Sequence, residues 1–129
     1  VAAPDFSLES VSGKTVSLSD LKGKGAILFF FTTWCPYCRS KIPVISKEYS
    51  QYQSQGIEFL FIDTGESKAK VASFVAKEHL SFDVLLDSRM KASEDYGVMG
   101  VPKFILISKE GFVVYEGNEL PHNYAELLK

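Results

Sequence analysis

A run of six consecutive apolar residues, Ala26 to Phe31, constrains the fold of this chain more than any other segment. A strand with one face in water alternates apolar and polar residues, whereas a strand buried on both faces is apolar at every position. The run therefore predicts a central strand in a partly parallel sheet. Since such a sheet needs helices over both faces, we expect a fold of the α/β class.

The residues after this strand predict a βαβ unit. From Pro36 to about residue 55, apolar residues recur at spacings of three and four, which predicts a helix that Gly56 ends. Residues 57–63 then predict a second strand, and residues 67–79 a second helix. The apolar stripe of the first helix consists of Ile42, Ile45, Tyr49 and Tyr52.

The two ends of the chain predict further strands. Residues 5–22 alternate apolar and polar residues around Ser12-Gly13-Lys14, which predicts a hairpin added to the sheet. No repeat or linker interrupts the chain, so we expect one domain over residues 1–129, with residues 1–24 as an N-terminal extension. The remaining predicted elements are a short strand at 84–86, a helix at 88–96, strands at 104–107 and 112–115 paired across a turn at 109–111, and a closing helix at 121–129.

The charge balance argues against nucleic acid as a partner. The chain has 14 Lys and Arg against 16 Asp and Glu, a formal net charge of −2, so it has no strong positive field. Its longest apolar run is far shorter than the roughly 20 residues that cross a bilayer, and no targeting segment is recognisable. We expect a soluble protein, and because the chain opens with Val1, a mature or trimmed form.

Cysteine usage favours thiol chemistry. The only two cysteines, Cys35 and Cys38, form one C-x-x-C pair. As a structural disulfide the pair would close a ring of about four residues, which stabilises by only about 2 kcal/mol. A structural zinc site needs four ligands, and only His79 and His122 remain, without the required spacing. We therefore expect no metal and no cofactor, and we expect a reactive dithiol.

The position of Cys35 explains why it would be the reactive thiol. It lies where the buried strand meets the first helix, so unpaired backbone N–H groups and the helix dipole favour a thiolate there. Pro36 suits the first helical turn because its missing N–H has no partner in a helix. Cys38, inside that turn, should be less exposed and act as the resolving thiol. Trp34 could shield the pair, present an apolar platform to a substrate, or simply pack.

These residues resemble the thioredoxin superfamily. Trp34-Cys35-Pro36-Tyr37-Cys38 stands in the place of its W-C-x-x-C signature, and Pro43 stands where its active-site helix has a proline. Residues 96–102, Y-G-V-M-G-V-P, resemble its Y-G-V-x-x-x-P segment, in which the proline follows a cis peptide bond and faces the cysteines. Residues 3–8 and 18–24 resemble the N-terminal extension of TlpA/ResA-type proteins and peroxiredoxins.

The resemblance implies a thioredoxin-like fold. This fold has a central mixed sheet flanked by helices, here with the N-terminal hairpin and a central βα insertion. It also implies a thiol-disulfide oxidoreductase whose substrate is a protein that carries a disulfide or dithiol. The substrate would lie against Trp34, Pro36, Tyr37 and the backbone of Val101-Pro102.

Three residues depart from the family pattern. Phe29 occupies the position of the buried carboxylate of thioredoxin, so that proton acceptor is missing. Lys41 stands where many ResA-type proteins have glutamate, and its cation could favour a thiolate or simply be solvated. Lys103 follows the proline where thioredoxins usually have threonine, which would change the charge presented to the substrate.

Two alternative functions remain open. A peroxiredoxin-like peroxidase is one, because Thr32-x-x-Cys35 matches part of the peroxidatic signature, although Leu28 replaces its proline. A redox-inert module that binds extended peptides beside Trp34, Tyr37 and Pro102 is the other. We expect neither His79 nor His122 to be catalytic.

The resemblance also implies a cellular context. TlpA/ResA-type proteins act outside the cytoplasm, are usually tethered by an N-terminal anchor, receive electrons from a membrane thiol-disulfide donor and often serve cytochrome c maturation. We expect the same periplasmic or extracytoplasmic context for this chain, as a monomer.

Overall fold

Seven strands and four α-helices make up the computed structural model, which describes residues 1–129 throughout. A short 3-10 helix, Leu18–Leu21, follows the second strand. The strands are β1 (Ser7–Glu9), β2 (Thr15–Ser17), β3 (Gly25–Phe31), β4 (Ile57–Thr64), β5 (Val84–Asp87), β6 (Lys103–Ile107) and β7 (Val113–Gly117). The helices are α1 (Pro36–Ser54), α2 (Lys68–Lys77), α3 (Lys91–Asp95) and α4 (Tyr124–Leu127).

The apolar run forms the central strand of the main sheet, as predicted. The five strands are ordered β5-β4-β3-β6-β7, with β3 parallel to β4 and antiparallel to β6. Every residue of β3 is buried. The mixed sheet flanked by helices confirms the predicted fold class.

Side chains from the two faces of this sheet form two hydrophobic cores. The first core lies between the sheet and α1, and it contains Phe29, Phe31 and Phe61 together with both cysteines. The Phe61 ring stacks on that of Phe82 with centroids 3.7 Å apart. The second core, on the opposite face, includes Leu28. Aromatic rings therefore make up much of the core in which the cysteines lie.

Helix α1 has the predicted apolar stripe. Ile42, Ile45 and Tyr52 are buried, and half-buried Tyr49 packs against the same core. Pro43 lies inside the helix, at the position the resemblance implied. No helix of the chain is both long enough and apolar enough to cross a bilayer.

The N-terminal hairpin is present, but the prediction that it adds to the main sheet is wrong. Strands β1 and β2 pair only with each other, as a separate two-stranded sheet. After β1 the chain makes a single bridge to β5, between Ser10 and Leu85, beside a hydrogen bond from the Val11 N–H to the Val84 carbonyl. The three-residue strands are too short to continue this pairing along the sheet edge.

Several predicted helix boundaries are wrong because non-glycine residues adopt left-handed backbone conformations. The second helix stops at Lys77, and His79, which we placed inside it, has a φ of 54°. The third helix begins three residues later than predicted, after Met90 with a φ of 63°. The closing helix is the single turn of α4.

The later strands lie close to their predicted positions. Strands β6 and β7 pair antiparallel, with a register shift between Leu106 and Ile107, and β7 covers Val113–Gly117, where residues 112–115 were predicted. Strand β5 and helix α3 lie between α2 and β6, where the resemblance implied an additional βα element.

Candidate active site

The C-x-x-C pair lies at the start of α1, directly beyond the end of β3. Cys35 is the N-cap residue and Pro36 is the first helical residue, as predicted. The Cys38 N–H donates to the Cys35 sulfur over 3.2 Å. An anion on Cys35 would therefore receive a hydrogen bond from the helix and interact with the positive end of its dipole.

The two thiols differ in exposure. Cys35 retains 5% of its surface and Cys38 retains none. Burial raises the pKa of the Cys38 thiol to about 12, and the neighbouring Cys35 sulfur adds to the effect. Cys38 is therefore held as a neutral thiol, and Cys35 is the more exposed residue of the pair.

The loop before β6 lies against the first cysteine. The Val101-Pro102 peptide bond is cis, which confirms the expectation from the resemblance. The Cys35 thiol lies 3.9 Å from the Val101 carbonyl, to which it donates. The Asn118 side-chain amide donates to the Pro102 carbonyl over 3.1 Å and ties this loop to the end of β7. The fold thus brings Val101 and Pro102 to the dithiol.

Two large side chains that neighbour the cysteines in sequence are exposed. Trp34 is 65% exposed and Tyr37 is 70% exposed. The exposure of Trp34 argues against simple packing, and its role as a shield and a platform for substrate stays a prediction. Met99, three residues before Pro102, is 95% exposed.

The residues that depart from the family pattern have distinct surroundings. Phe29 is fully buried, with its ring centroid 4.8 Å from that of Phe104, so no carboxylate lies on this strand below the cysteines. Lys103 is half-buried at the start of β6, opposite Phe30. The Lys41 ammonium forms an ion pair with Glu119 over 2.7 Å and is therefore not simply solvated.

The Lys41–Glu119 pair joins α1 to the segment after β7, and we expect it to contribute little to stability. Glu119 is exposed, so solvent screens the attraction. Lys41→Met should change the free energy of unfolding by less than about 1 kcal/mol in a urea titration, and Glu119→Gln should match it. A markedly larger loss in both variants would mean that the pair anchors this segment.

The residues behind the peroxidase hypothesis and the two histidines have different surroundings. Leu28, at the position of the peroxiredoxin proline, is fully buried in the core on the opposite face of the sheet from Cys35. Thr32 is buried, and its hydroxyl has no hydrogen-bond partner. His79 and His122 are both exposed and lie outside the helices.

Two buried carboxyl groups near the active-site turn were not identified from the sequence. Glu66 accepts hydrogen bonds from Thr33, two residues before Cys35. Asp63 is fully buried at the end of β4. The only sequence signal was an acidic residue near the end of a largely apolar strand, which does not reveal what lies opposite it.

Comparisons with known proteins agree with this geometry. The model of the AhpC/TSA family matches residues 1–116. The thiol-disulfide oxidoreductase ResA of Bacillus subtilis is 38% identical over 132 residues, covering 98% of this chain and 74% of the relative.

Solved structures give the same picture. A thiol:disulfide interchange protein of the thioredoxin family from Chlorobium tepidum superposes with a TM-score of 0.81 at 30% identity, over 99% of this chain and 93% of the other. A secreted Mycobacterium tuberculosis disulfide oxidoreductase, described as homologous to Escherichia coli DsbE, superposes with a TM-score of 0.77 at 29% identity, over 89% and 84% of the two chains.

Proposed function

This chain belongs to the AhpC/TSA family of the thioredoxin superfamily and is a ResA-type thiol-disulfide oxidoreductase, and from that premise we propose that Cys35 attacks and Cys38 resolves. The observation that carries these roles is the asymmetry of the pair. Cys35 is the more exposed sulfur and accepts the Cys38 N–H, whereas Cys38 is fully buried.

The exchange proceeds through two displacements on sulfur. The Cys35 thiolate attacks one sulfur of a substrate disulfide, forms a mixed disulfide and releases the other substrate sulfur as a thiolate, which takes up a proton. Cys38 then loses its proton and attacks the Cys35 sulfur. The Cys35–Cys38 disulfide forms and the second substrate thiolate leaves, so two electrons pass from protein to substrate. The oxidising direction reverses the same steps.

The substrate we propose is an extended segment of a protein that carries a disulfide. Its main chain would lie along Val101-Pro102, where the Val101 carbonyl already faces Cys35 at 3.9 Å. Trp34 and Tyr37 would cover the apolar side chains of that segment, and Pro36 would keep the rim of the helix free of an N–H donor.

Cys38→Ser is expected to trap substrates, because the first displacement can occur without the second. A substrate with a single disulfide should accumulate as a covalent complex with Cys35, visible as an intact-mass increase that dithiothreitol removes. The matched variant is Cys35→Ser, which retains only the buried sulfur and should capture nothing. Equal capture by both variants would reverse the assigned roles.

We also propose that the protein acts outside the cytoplasm, receives electrons from a membrane thiol-disulfide donor, and serves cytochrome c maturation. The similarity to a secreted relative and to ResA supports this context. The haem-attachment motif of c-type cytochromes is C-x-x-C-H, so its disulfide is the substrate to test.

The reduced protein should open the disulfide of an oxidised C-x-x-C-H peptide faster than that of a scrambled peptide with the same cysteines. Equal rates would refute the cytochrome role and leave the exchange reaction intact.

A peroxidase, by contrast, would consume hydrogen peroxide catalytically with the Cys35 thiolate. We expect no such turnover.

A further inference from the structure

A pair of buried carboxyl groups lies behind the turn that leads into the active site. Asp63, the penultimate residue of β4, pairs with Phe31, the last residue of β3, and Glu66 follows three residues later in the loop before α2. Asp63 is fully buried, and no side-chain or backbone group donates a hydrogen bond to either of its carboxyl oxygens. Because burying an unsatisfied carboxylate is costly, this residue requires an explanation beyond packing.

Glu66 binds the active-site turn through two hydrogen bonds. One carboxyl oxygen accepts the Thr33 N–H and the other accepts the Thr33 hydroxyl, each over 2.8 Å. Lys70 contacts the same carboxylate over 3.2 Å from the first turn of α2. Thr33 precedes Trp34 and Cys35, so this clamp fixes the chain two residues before the sulfur.

Glu66 and Asp63 together hold a single proton at neutral pH. Burial, together with the Glu66 carboxylate, raises the pKa of Asp63 to about 9. Although burial alone would raise the pKa of Glu66, hydrogen bonds from Asp63, Thr33 and Lys70 lower it to about 2. The other side chains opposite Asp63 in the sheet register, Phe31 and Leu86, carry no charge. A neutral Asp63 can therefore donate to an ionised Glu66.

We propose that Asp63 and Glu66 are positioning residues for thiol-disulfide exchange: the buried Asp63 carboxyl group supports the Glu66 carboxylate, which holds Thr33 and so sets the position of Cys35. The proposal rests on the role of Cys35 proposed above. Neither carboxyl group touches the substrate. Their effect passes through the turn, where small displacements of a reacting atom reduce rates strongly.

Substitutions at Asp63 separate this role from simple packing. Asp63→Asn is neutral and keeps a donor for Glu66, so its rate constant for attack on a model disulfide should stay within about twofold of the wild type. Asp63→Leu is neutral but cannot donate, so this rate constant should fall about tenfold. Thr33→Val, which removes one bond of the clamp, should show a similar fall.

The single tryptophan, Trp34, provides a second measurement that does not depend on thiol reactivity. In the oxidised protein, where neither thiol can titrate, its emission spectrum should match the wild type in Asp63→Asn and shift in Asp63→Leu and Thr33→Val. The control is Asp83→Asn, which removes an exposed carboxylate. This carboxylate accepts hydrogen bonds from Ser12, which lies 71 positions away in the sequence. It should change neither the rate nor the emission.

These readouts keep the proposal distinct from the roles of the cysteines, since the emission measurement uses no exchange reaction. Wild-type rates and emission in Asp63→Leu and Thr33→Val would overturn the positioning role. Equal losses in Asp63→Asn and Asp63→Leu would overturn it as well, because they would show that the donated hydrogen bond is not what Asp63 contributes.

Discussion

Replacing Cys35 with serine is expected to abolish turnover of disulfide substrates, with a loss of at least about a thousandfold. A serine hydroxyl is not ionised near neutral pH and cannot form the mixed disulfide. The remaining thiol, Cys38, is fully buried and has a pKa raised to about 12, so it cannot substitute for the lost nucleophile. The measurement is the catalysed reduction of a protein disulfide followed with a thiol reagent.

Serine is close to cysteine in size, so the variant should fold normally. Its thermal unfolding midpoint should be compared with that of reduced wild-type protein, because both lack the Cys35–Cys38 disulfide. Turnover within tenfold of the wild type, in a variant shown by mass to contain no Cys35, would rule out this residue as the nucleophile.

The second large effect concerns stability and its dependence on pH. Burial raises the pKa of Asp63 from 3.8 to about 9, so between these values the folded protein holds a proton that the unfolded chain has released. The free energy of unfolding must then fall as the pH rises through this window. From pH 5 to 8 we expect a fall of about 1 kcal/mol per pH unit, and Asp63→Asn should remove most of it.

The control for this titration is Asp83→Asn. Hydrogen bonds from Ser10, Ser12 and the Val84 N–H outweigh partial burial and lower the pKa of Asp83. Its contribution to the free energy of unfolding is therefore complete above its pKa in the unfolded chain, and this contribution is lost only as the pH falls. Between pH 5 and 8 this variant should therefore show the wild-type slope. Urea titrations of the oxidised proteins at several pH values measure both, and an unchanged slope in Asp63→Asn would contradict a buried proton at this site.

The parts of the fold that could be predicted from sequence are those that local pattern determines. The fully apolar β3 and the spacing of three between Ile42 and Ile45 each indicate burial directly, because periodicity follows from the geometry of a strand or helix. Helix ends were less predictable, since His79 and Met90 adopt positive φ angles. In a sequence, only a glycine commonly indicates a position with a positive φ angle. The separate sheet of β1 and β2 depends on pairing that no local pattern encodes.

The same division applies to the site. The placement of Cys35 and Cys38 at a helix start could be predicted because it depends only on neighbouring residues within one helical turn. The cis bond before Pro102 could be expected only from the family resemblance. The contacts of Glu66 with Thr33 span 33 positions, and the burial of Asp63 depends on the register between β3 and β4. Such contacts cannot be predicted from one sequence.

The most direct test of the central claim is competition between the two thiols of the reduced protein. Treated near neutral pH with less than one equivalent of iodoacetamide and analysed by peptide mass spectrometry, the protein should be alkylated on Cys35 in at least about tenfold excess over Cys38. Only Cys35 retains exposed surface, whereas burial raises the pKa of Cys38 to about 12 and keeps it a neutral thiol. Equal labelling, or labelling of Cys38 first, would contradict the assignment of Cys35 as the attacking sulfur.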